Sequence, residues 1–137
     1  MSELWVLDGS WDEIDDWDVL DQKNLNIACT VPSDWSFRVF SDGIEAFHAE
    51  GKPDAIVADI GTIGGIYPQP EHAHFIIESL MAKHDGATLF VTSAVGGWAD
   101  GVVEQLEKEG LKPIVLDNSY DTWRETFIEY GLFTEDE

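Results

Sequence analysis

The chain has 137 residues, with 28 Asp and Glu against only 7 Lys and Arg, which gives a formal charge of −21. Its length suits one domain with a hydrophobic core, and its 44% hydrophobic content argues against a disordered chain. No apolar run is long enough to span a membrane, and no basic stripe is present to neutralise nucleic-acid phosphates. The single cysteine, Cys29, excludes an internal disulfide and fits a reducing compartment, so we expect a cytoplasmic protein.

The large negative charge has three interpretations. In the first, it forms a solvated surface whose like charges keep the protein in solution. In the second, it is an adaptation to a cytoplasm of high salt concentration, since lysine is scarce. In the third, it serves to bind a protein partner with a basic surface, including the case in which the chain mimics nucleic acid. We expect no direct nucleic-acid binding and no membrane contact.

Short apolar runs alternate with helical patterns along the chain, which predicts a parallel sheet with helices on both faces. The predicted strands are Leu4–Leu7, Phe37–Phe40, Ala55–Ala58, Thr88–Val91 and about Pro113–Leu116. The first predicted helix starts at 41–42 and ends before Gly51. The later predicted helices are Glu71–Lys83, Trp98–Glu109 and about Tyr120–Tyr130.

An acidic, Trp-rich segment at about 9–34 fits this pattern least well. Trp11, Ile14 and Trp17 fall near helical spacing and predict one amphipathic helix. The following stretch, Asn24–Ser33, is predicted to be a loop or an inserted short strand, because apolar and polar residues alternate there. Aromatic groups among acids are typical of a surface that binds basic partners. The candidate partner-binding residues are Trp11, Trp17, Asp15 and Asp16; that the Trp side chains hold the segment against the sheet is an equal alternative.

Polar side chains follow three of the predicted strands. Asp8 follows the first strand, Asp59 follows the third, and Thr92 and Ser93 follow the fourth. Ligands of open α/β sheets bind at the carboxyl ends of the strands, where these residues would converge. A carboxylate there can bind a cation, accept a phosphoryl group or act as a base. The alternative is that these polar residues only start turns.

Two runs carry a resemblance to a known family: Gly-Lys-Pro-Asp-Ala-Ile-Val-Ala-Asp at 51–59 and Leu-Phe-Val-Thr-Ser-Ala at 89–94. They resemble the receiver domain of bacterial response regulators. The resemblance implies a flavodoxin-like, three-layer α/β sandwich with a five-stranded parallel sheet in the order 2-1-3-4-5, formed by one domain over residues 1–137. It implies that Asp59 is the phosphoacceptor, that Asp8 and Asp59 hold Mg²⁺, and that Thr92, or as second choice Ser93, is the switch hydroxyl. Gly64 matches the glycine of the loop after the phosphoacceptor.

The chain departs from the receiver pattern at three positions. Gly9 stands where the family has a second acidic residue, Ile63 stands where it usually has proline, and Asp117 stands where it has a lysine. Three carboxylates in one pocket would repel one another unless a divalent cation or a proton intervened. Mg²⁺ accepts such oxygen ligands, but a phosphoryl group would lack the lysine that neutralises it. We therefore expect a degenerate site, with Asp117 either in the pocket or capping a turn.

Four functions are compatible with this sequence. The first is a stand-alone receiver-like regulatory or adaptor module that acts by protein–protein interaction and is not an enzyme. The second is a single-domain response regulator that is phosphorylated on Asp59. The third is an acidic inhibitor, or nucleic-acid mimic, that binds a basic partner. The fourth is Mg²⁺-dependent phosphoryl transfer, with Asp59 as the nucleophile of a phosphatase.

Overall fold

The computed structural model describes residues 2–8, 16–41, 43–59, 70–92, 98–116 and 120–134. Strands and helices alternate throughout these ranges. In chain order they are β1 Glu3–Leu7, α1 Trp17–Ala28, β2 Ser36–Phe40, α2 Gly43–His48, β3 Ala55–Asp59, α3 Pro70–Lys83, β4 Thr88–Thr92, α4 Trp98–Lys108, β5 Ile114–Val115 and α5 Tyr120–Glu129.

The five strands form one parallel sheet in the order β2-β1-β3-β4-β5, which confirms the predicted fold class. The chain places β2 on one side of β1 and then crosses to place β3 on the other side. This reversal makes the carboxyl end of β1 and β3 the switch point of the sheet. In open α/β sheets the crevice at the switch point is where ligands bind.

Both faces of the sheet are covered by helices, because successive side chains of each strand point to opposite faces. In β1, Trp5 and Leu7 pack with α2, α3 and α4, whereas Leu4 and Val6 pack with α1 and α5. Both sides of β1 are buried, which explains why the strands read as continuous apolar runs rather than alternating ones. The second core is strongly aromatic, with the Phe90 and Phe127 rings in edge contact at 4.9 Å.

The prediction of a loop or an inserted short strand over Asn24–Ser33 was wrong for residues 24–28, because α1 continues through Ala28. It was right for residues 29–33, which form a turn and irregular structure. Asp16 caps the start of the helix by accepting a hydrogen bond from the backbone N–H of Asp18 at 2.9 Å. Apolar and polar residues alternate here without marking the buried face of a strand, because Ile27 is the one buried residue of α1. A helix with so narrow a buried face leaves little periodicity to recognise in the sequence. The predicted helical residues Trp11 and Ile14 lie outside the described residues.

The ends of the later helices agree with the prediction. Gly110 and Gly131 follow α4 and α5 with φ of +89° and +81°, a backbone conformation that glycine adopts without a steric penalty. Trp123 of α5 is buried, as its helical spacing from Phe127 predicts. Across the described ranges, the helices lack the combination of length and apolar character needed to cross a membrane.

Phe127 offers a direct test of the core between α5 and the sheet. Its side chain is fully buried, so Phe127→Ala removes a large apolar group and leaves a cavity beneath α5. We expect the free energy of unfolding to fall by about 3–5 kcal/mol in chemical denaturation. Val115→Ala is the control, because Val115 is 67% exposed and its truncation is expected to change stability by less than about 0.5 kcal/mol. Equal effects of the two substitutions would contradict the packing described here.

Candidate functional site

Three of the predicted site residues meet at the carboxyl edge of the sheet. Asp8 directly follows β1, Asp59 is the last residue of β3, and Thr92 is the last residue of β4. The strand register pairs Asp59 with Thr92, and it pairs the residue before Asp8 with the residue before Asp59. The backbone N–H of Asp8 continues the ladder to β2 by donating to the carbonyl of Phe40 at 2.9 Å. The sheet hydrogen bonds therefore fix the position of all three residues.

A cavity of about 200 Å³ opens at this edge. The residues that line it are Val6, Leu7, Asp8, Lys23, Val57, Asp59, Thr92, Tyr120 and Trp123. The first, third and fourth strands supply the carboxylates, the hydroxyl and the apolar floor, while α1 and α5 supply Lys23, Tyr120 and Trp123. We call this the carboxylate cavity.

Lys23 brings a positive charge to the carboxylate cavity from α1. Its Nζ lies 4.0 Å from an Oδ2 of Asp8, and the two side chains are 28% and 11% exposed. At this partial burial the ammonium group is less screened than on an open surface, so it offsets part of the cost of burying Asp8. In the receiver pattern the cation of the site follows β5, whereas here Lys23 of α1 supplies it, which the sequence did not predict. One signal was available, since Lys23 is the only Lys or Arg among residues 1–37.

Tyr120, the first residue of α5, brings a phenol to the same cavity. Burial, together with the negative charges of Asp8 and Asp59, raises the pKa of Tyr120 to about 12. The hydroxyl therefore remains protonated at neutral pH and can donate a hydrogen bond to an anionic group. The Tyr120 ring packs against Trp123 with centroids 4.6 Å apart. Sequence reasoning did not consider Tyr120, because nothing in its neighbours distinguishes it from a core aromatic residue.

The oxygen ligands that the cavity offers to a metal ion are the carboxylates of Asp8 and Asp59, with the Thr92 hydroxyl beside them. These are hard donors of the kind that Mg²⁺ prefers. In the part of the chain that the structure describes, no three His, Cys, Asp or Glu residues are grouped as a metal site. Lys23 further opposes a divalent cation at Asp8, because the two positive charges would repel. Among the described residues, the carboxylate cavity thus offers two carboxylates and one hydroxyl to a cation, with Lys23 competing at Asp8.

Two other predicted site residues, Asp16 and Trp17, do not line the carboxylate cavity. Asp16 and Trp17 stand at the start of α1, where Asp16 is the helix cap and Trp17 is 78% exposed. The remaining candidates lie outside the described residues: the second-choice hydroxyl Ser93, the loop glycine Gly64, the pocket residue Asp117, and the partner-binding residues Trp11 and Asp15.

The raised pKa of Tyr120 predicts how the protein responds to alkaline pH. The neutral phenol is favoured in the folded protein, so its contribution to stability is complete below pH 10 and is lost as pH rises from 10 towards about 12. We expect Tyr120→Phe to remove the latest step in the phenolate absorbance titration and to flatten the fall in stability over that range. An unchanged late step in the variant would mean that another tyrosine produces it.

Comparisons with known proteins support the architecture. No protein-family model matches the chain, and no curated protein matches it. Among solved structures, the chain is similar to one described as an adenylate cyclase from Rhodopirellula baltica, with a TM-score of 0.56 and 13% sequence identity. The similarity covers 94% of this chain and 91% of that one. At this identity the likeness shows the fold alone, a flavodoxin-like arrangement of five parallel strands flanked by helices.

Proposed function

We propose that this chain is a receiver-like regulatory or adaptor module that acts by protein–protein contact rather than by catalysis. The observation that carries the proposal is the ion pair between Lys23 and Asp8. Receiver-type chemistry uses a divalent cation beside the first-strand carboxylate, and here a lysine of the protein itself supplies positive charge at that carboxylate. Lys23 thus offsets one of the two negative charges of the cavity, at the carboxylate where a metal ion would otherwise be needed.

The outer face of α1 supplies a contact surface for this function. Trp17 and Leu25 are 78% and 60% exposed, and Asp21 lies between them at the i+4 position. Exposed Trp side chains are common anchors of protein interfaces, since they bury a large area when a partner covers them. Ile27 is the one buried side chain of this helix, so most of α1 is available to a partner. We call Trp17, Asp18, Asp21 and Leu25 the α1 surface.

Charge indicates the chemistry of the partner. Asp16, Asp18 and Asp21 are exposed, and the one basic residue of α1, Lys23, pairs with Asp8 in the carboxylate cavity. The α1 surface therefore presents carboxylates beside apolar anchors without a lysine or arginine of its own. A basic segment with apolar side chains complements it, and the net charge of −21 would speed their encounter at low salt. We propose a protein partner with a basic surface.

A response regulator that is phosphorylated on Asp59 is the second candidate. The observation that favours it is the pairing of Asp59 with Thr92 in the β3–β4 register, which puts a hydroxyl beside the candidate phosphoacceptor. Lys23 supports it too, because an ammonium group in the cavity would stabilise a phosphoryl group on Asp59. In this version Thr92 reports the change in charge at Asp59, and Mg²⁺ would be held by Asp8 and Asp59.

Trp123 allows the two candidates to be separated by fluorescence, because it lines the carboxylate cavity. For the non-catalytic module, we expect no saturable change in Trp fluorescence with millimolar Mg²⁺ and beryllofluoride, a mimic of the phosphoryl group. We expect Lys23→Gln to bind Mg²⁺ about tenfold more tightly than the unaltered protein, since it removes the competing positive charge. Asp59→Asn in the Lys23→Gln background is expected to reverse that gain.

Two controls make this measurement decisive. Trp123→Phe identifies the signal that comes from the cavity among the six Trp residues. Lys108→Gln removes one positive charge from the exposed end of α4 and is expected to leave Mg²⁺ binding unchanged. A saturable response of the unaltered protein that disappears in Asp59→Asn would favour the phosphorylated regulator over the non-catalytic module.

The α1 surface can be tested with a synthetic amphipathic helix made of leucine and lysine. We expect the peptide to bind in a fluorescence anisotropy titration, with an affinity that falls between about 50 and about 300 mM NaCl as the charges are screened. Trp17→Ala is expected to weaken binding about tenfold, because it removes the aromatic anchor. Asp21→Asn is expected to reduce the dependence on salt.

The matched controls lie on the other side of the sheet. Phe75→Ala truncates a 65% exposed aromatic residue of α3, and Glu104→Gln removes one exposed charge from α4. Both are expected to bind the peptide as the unaltered protein does. Equal losses for Trp17→Ala and Phe75→Ala would contradict a specific α1 surface. If binding depended on the total charge alone, an acidic inhibitor that mimics nucleic acid would become the better description.

A further inference from the structure

A second polar cavity lies at the opposite edge of the sheet, where β3 and β4 begin. It has a volume of about 230 Å³, and the residues that line it are Lys52, Pro53, Lys83, His84, Asp85, Gly86 and Ala87. Two short connections form its walls: the residues that lead into β3, and the turn between α3 and β4. Because the strands are parallel, this edge is the full length of the sheet away from the carboxylate cavity.

The charge of this second cavity differs from that of the chain as a whole. Two of the seven Lys and Arg residues of the protein line it, together with one of the four histidines. Asp85 is the acidic residue among the lining side chains. With two lysines against one carboxylate, the lining side chains carry a formal charge of +1 when His84 is neutral. The cavity is therefore locally basic in a protein of net charge −21.

Two of its polar groups lack a partner among the described residues. Lys52 makes no hydrogen bond or ion pair within the described ranges. His84 is only 8% exposed, and its Nε2 is completely buried without a hydrogen-bond partner in the described part of the protein. A buried polar atom left in this way costs free energy, and an unseen water or ion is a common explanation.

Lys83 is only partly used by the fold. Its Nζ donates a hydrogen bond to the backbone carbonyl of Phe47 and lies 5.1 Å from the centre of the Phe47 ring. Its position in the last turn of α3 also suits the partial negative charge of that helix end. An ammonium group has three hydrogens, so two remain for another acceptor after the bond to Phe47. None of these contacts accounts for Lys52 or for the buried Nε2 of His84.

We propose that the cavity lined by Lys52, Lys83 and His84 binds a small oxyanion, such as a phosphate or carboxylate group. Two ammonium groups provide charge-assisted donors within one enclosure, which is an arrangement that favours oxyanions, and the imidazole lies beside them. The electrostatics of the cavity are consistent with this proposal. The pKa of His84 is lowered, mainly by burial and then by the positive charges of Lys83 and Lys52. A bound anion would offset both lysine charges and allow the imidazole to be protonated.

The edge contact between His84 and Trp5 provides a readout that requires no activity. Their ring centroids are 5.1 Å apart, so a change at His84 alters the surroundings of the Trp5 indole. We would titrate the intact protein with inorganic phosphate while recording NMR signals of the His84 ring and of the Trp5 indole N–H. Sodium chloride keeps the ionic strength constant, and sodium acetate replaces phosphate in a second series.

We expect saturable shifts of both signals with phosphate, acetate or both, and the series that saturates identifies the oxyanion class. Lys52→Gln is expected to weaken binding at least about fivefold, since it removes one charged donor from an exposed position that the fold does not need. Lys108→Gln, an exposed lysine of α4 outside the cavity, is the matched control and is expected to bind as the unaltered protein does.

Two results would overturn the proposal. In one, chloride alone produces the same shifts at equal ionic strength, which would mean simple screening. In the other, Lys52→Gln and Lys108→Gln bind phosphate equally well, which would mean that the cavity is not the site. Neither result bears on the module function proposed above, because the carboxylate cavity and the α1 surface use different residues.

Discussion

The placement of two carboxylates side by side at one edge of the sheet is the constraint on which the candidate site depends. Parallel pairing of β1 with β3 sets Asp8 beside Asp59, and the side chain of Asp8 is almost entirely removed from water. Lys23 approaches Asp8 from α1, and Tyr120 presents a neutral phenol from α5. At about 4 Å the attraction of opposite charges near a surface is about 4 kcal/mol, much of which desolvation offsets. The pair therefore contributes more to the arrangement of the edge than to net stability.

This arrangement ties α1 to the chemistry of the sheet edge. The helix is held by the burial of Ile27 on the apolar side and by Lys23 at the carboxylate cavity. Any event that changes the charge of Asp8 or Asp59 also changes the electrostatic attraction that holds Lys23. Lys23 is thus a direct electrostatic link between α1 and the carboxylate cavity. Such a link acts in both directions, since linkage between two sites is reciprocal.

Much of the fold could be predicted from the sequence, because the strands are apolar on both sides and alternate with longer amphipathic stretches. The same logic located Asp8, Asp59 and Thr92, since residues that follow parallel strands share one edge of the sheet. Lys23 and Tyr120 could not be found in this way. Their position in the cavity depends on how two helices pack across the sheet face, which is a property of tertiary structure rather than of local pattern.

The wrong prediction for the second half of α1 has a specific physical cause. Helix prediction depends on a recurring apolar face, and this helix buries one side chain while exposing Trp17 and Leu25. Its local support comes from short polar contacts, such as the bond from Gln22 Nε2 to Asn26 Oδ1 at 3.0 Å. These contacts suit a helix, yet Asn and Asp residues are also favoured in turns. The residues that make these contacts are visible in the sequence, but their pattern does not distinguish a helix from a loop.

The single buried residue of α1 also has a kinetic consequence. Helices are stabilised in proteins mainly by the packing of an apolar face, and this one packs very little. Its backbone amides should open by local unfolding far more often than those of β1 and β3, which lie in the centre of the sheet. Amide hydrogen exchange would then divide the molecule into a slow central sheet and a fast α1. A partner that covers α1 would supply the missing packing and convert a fluctuating helix into a protected one.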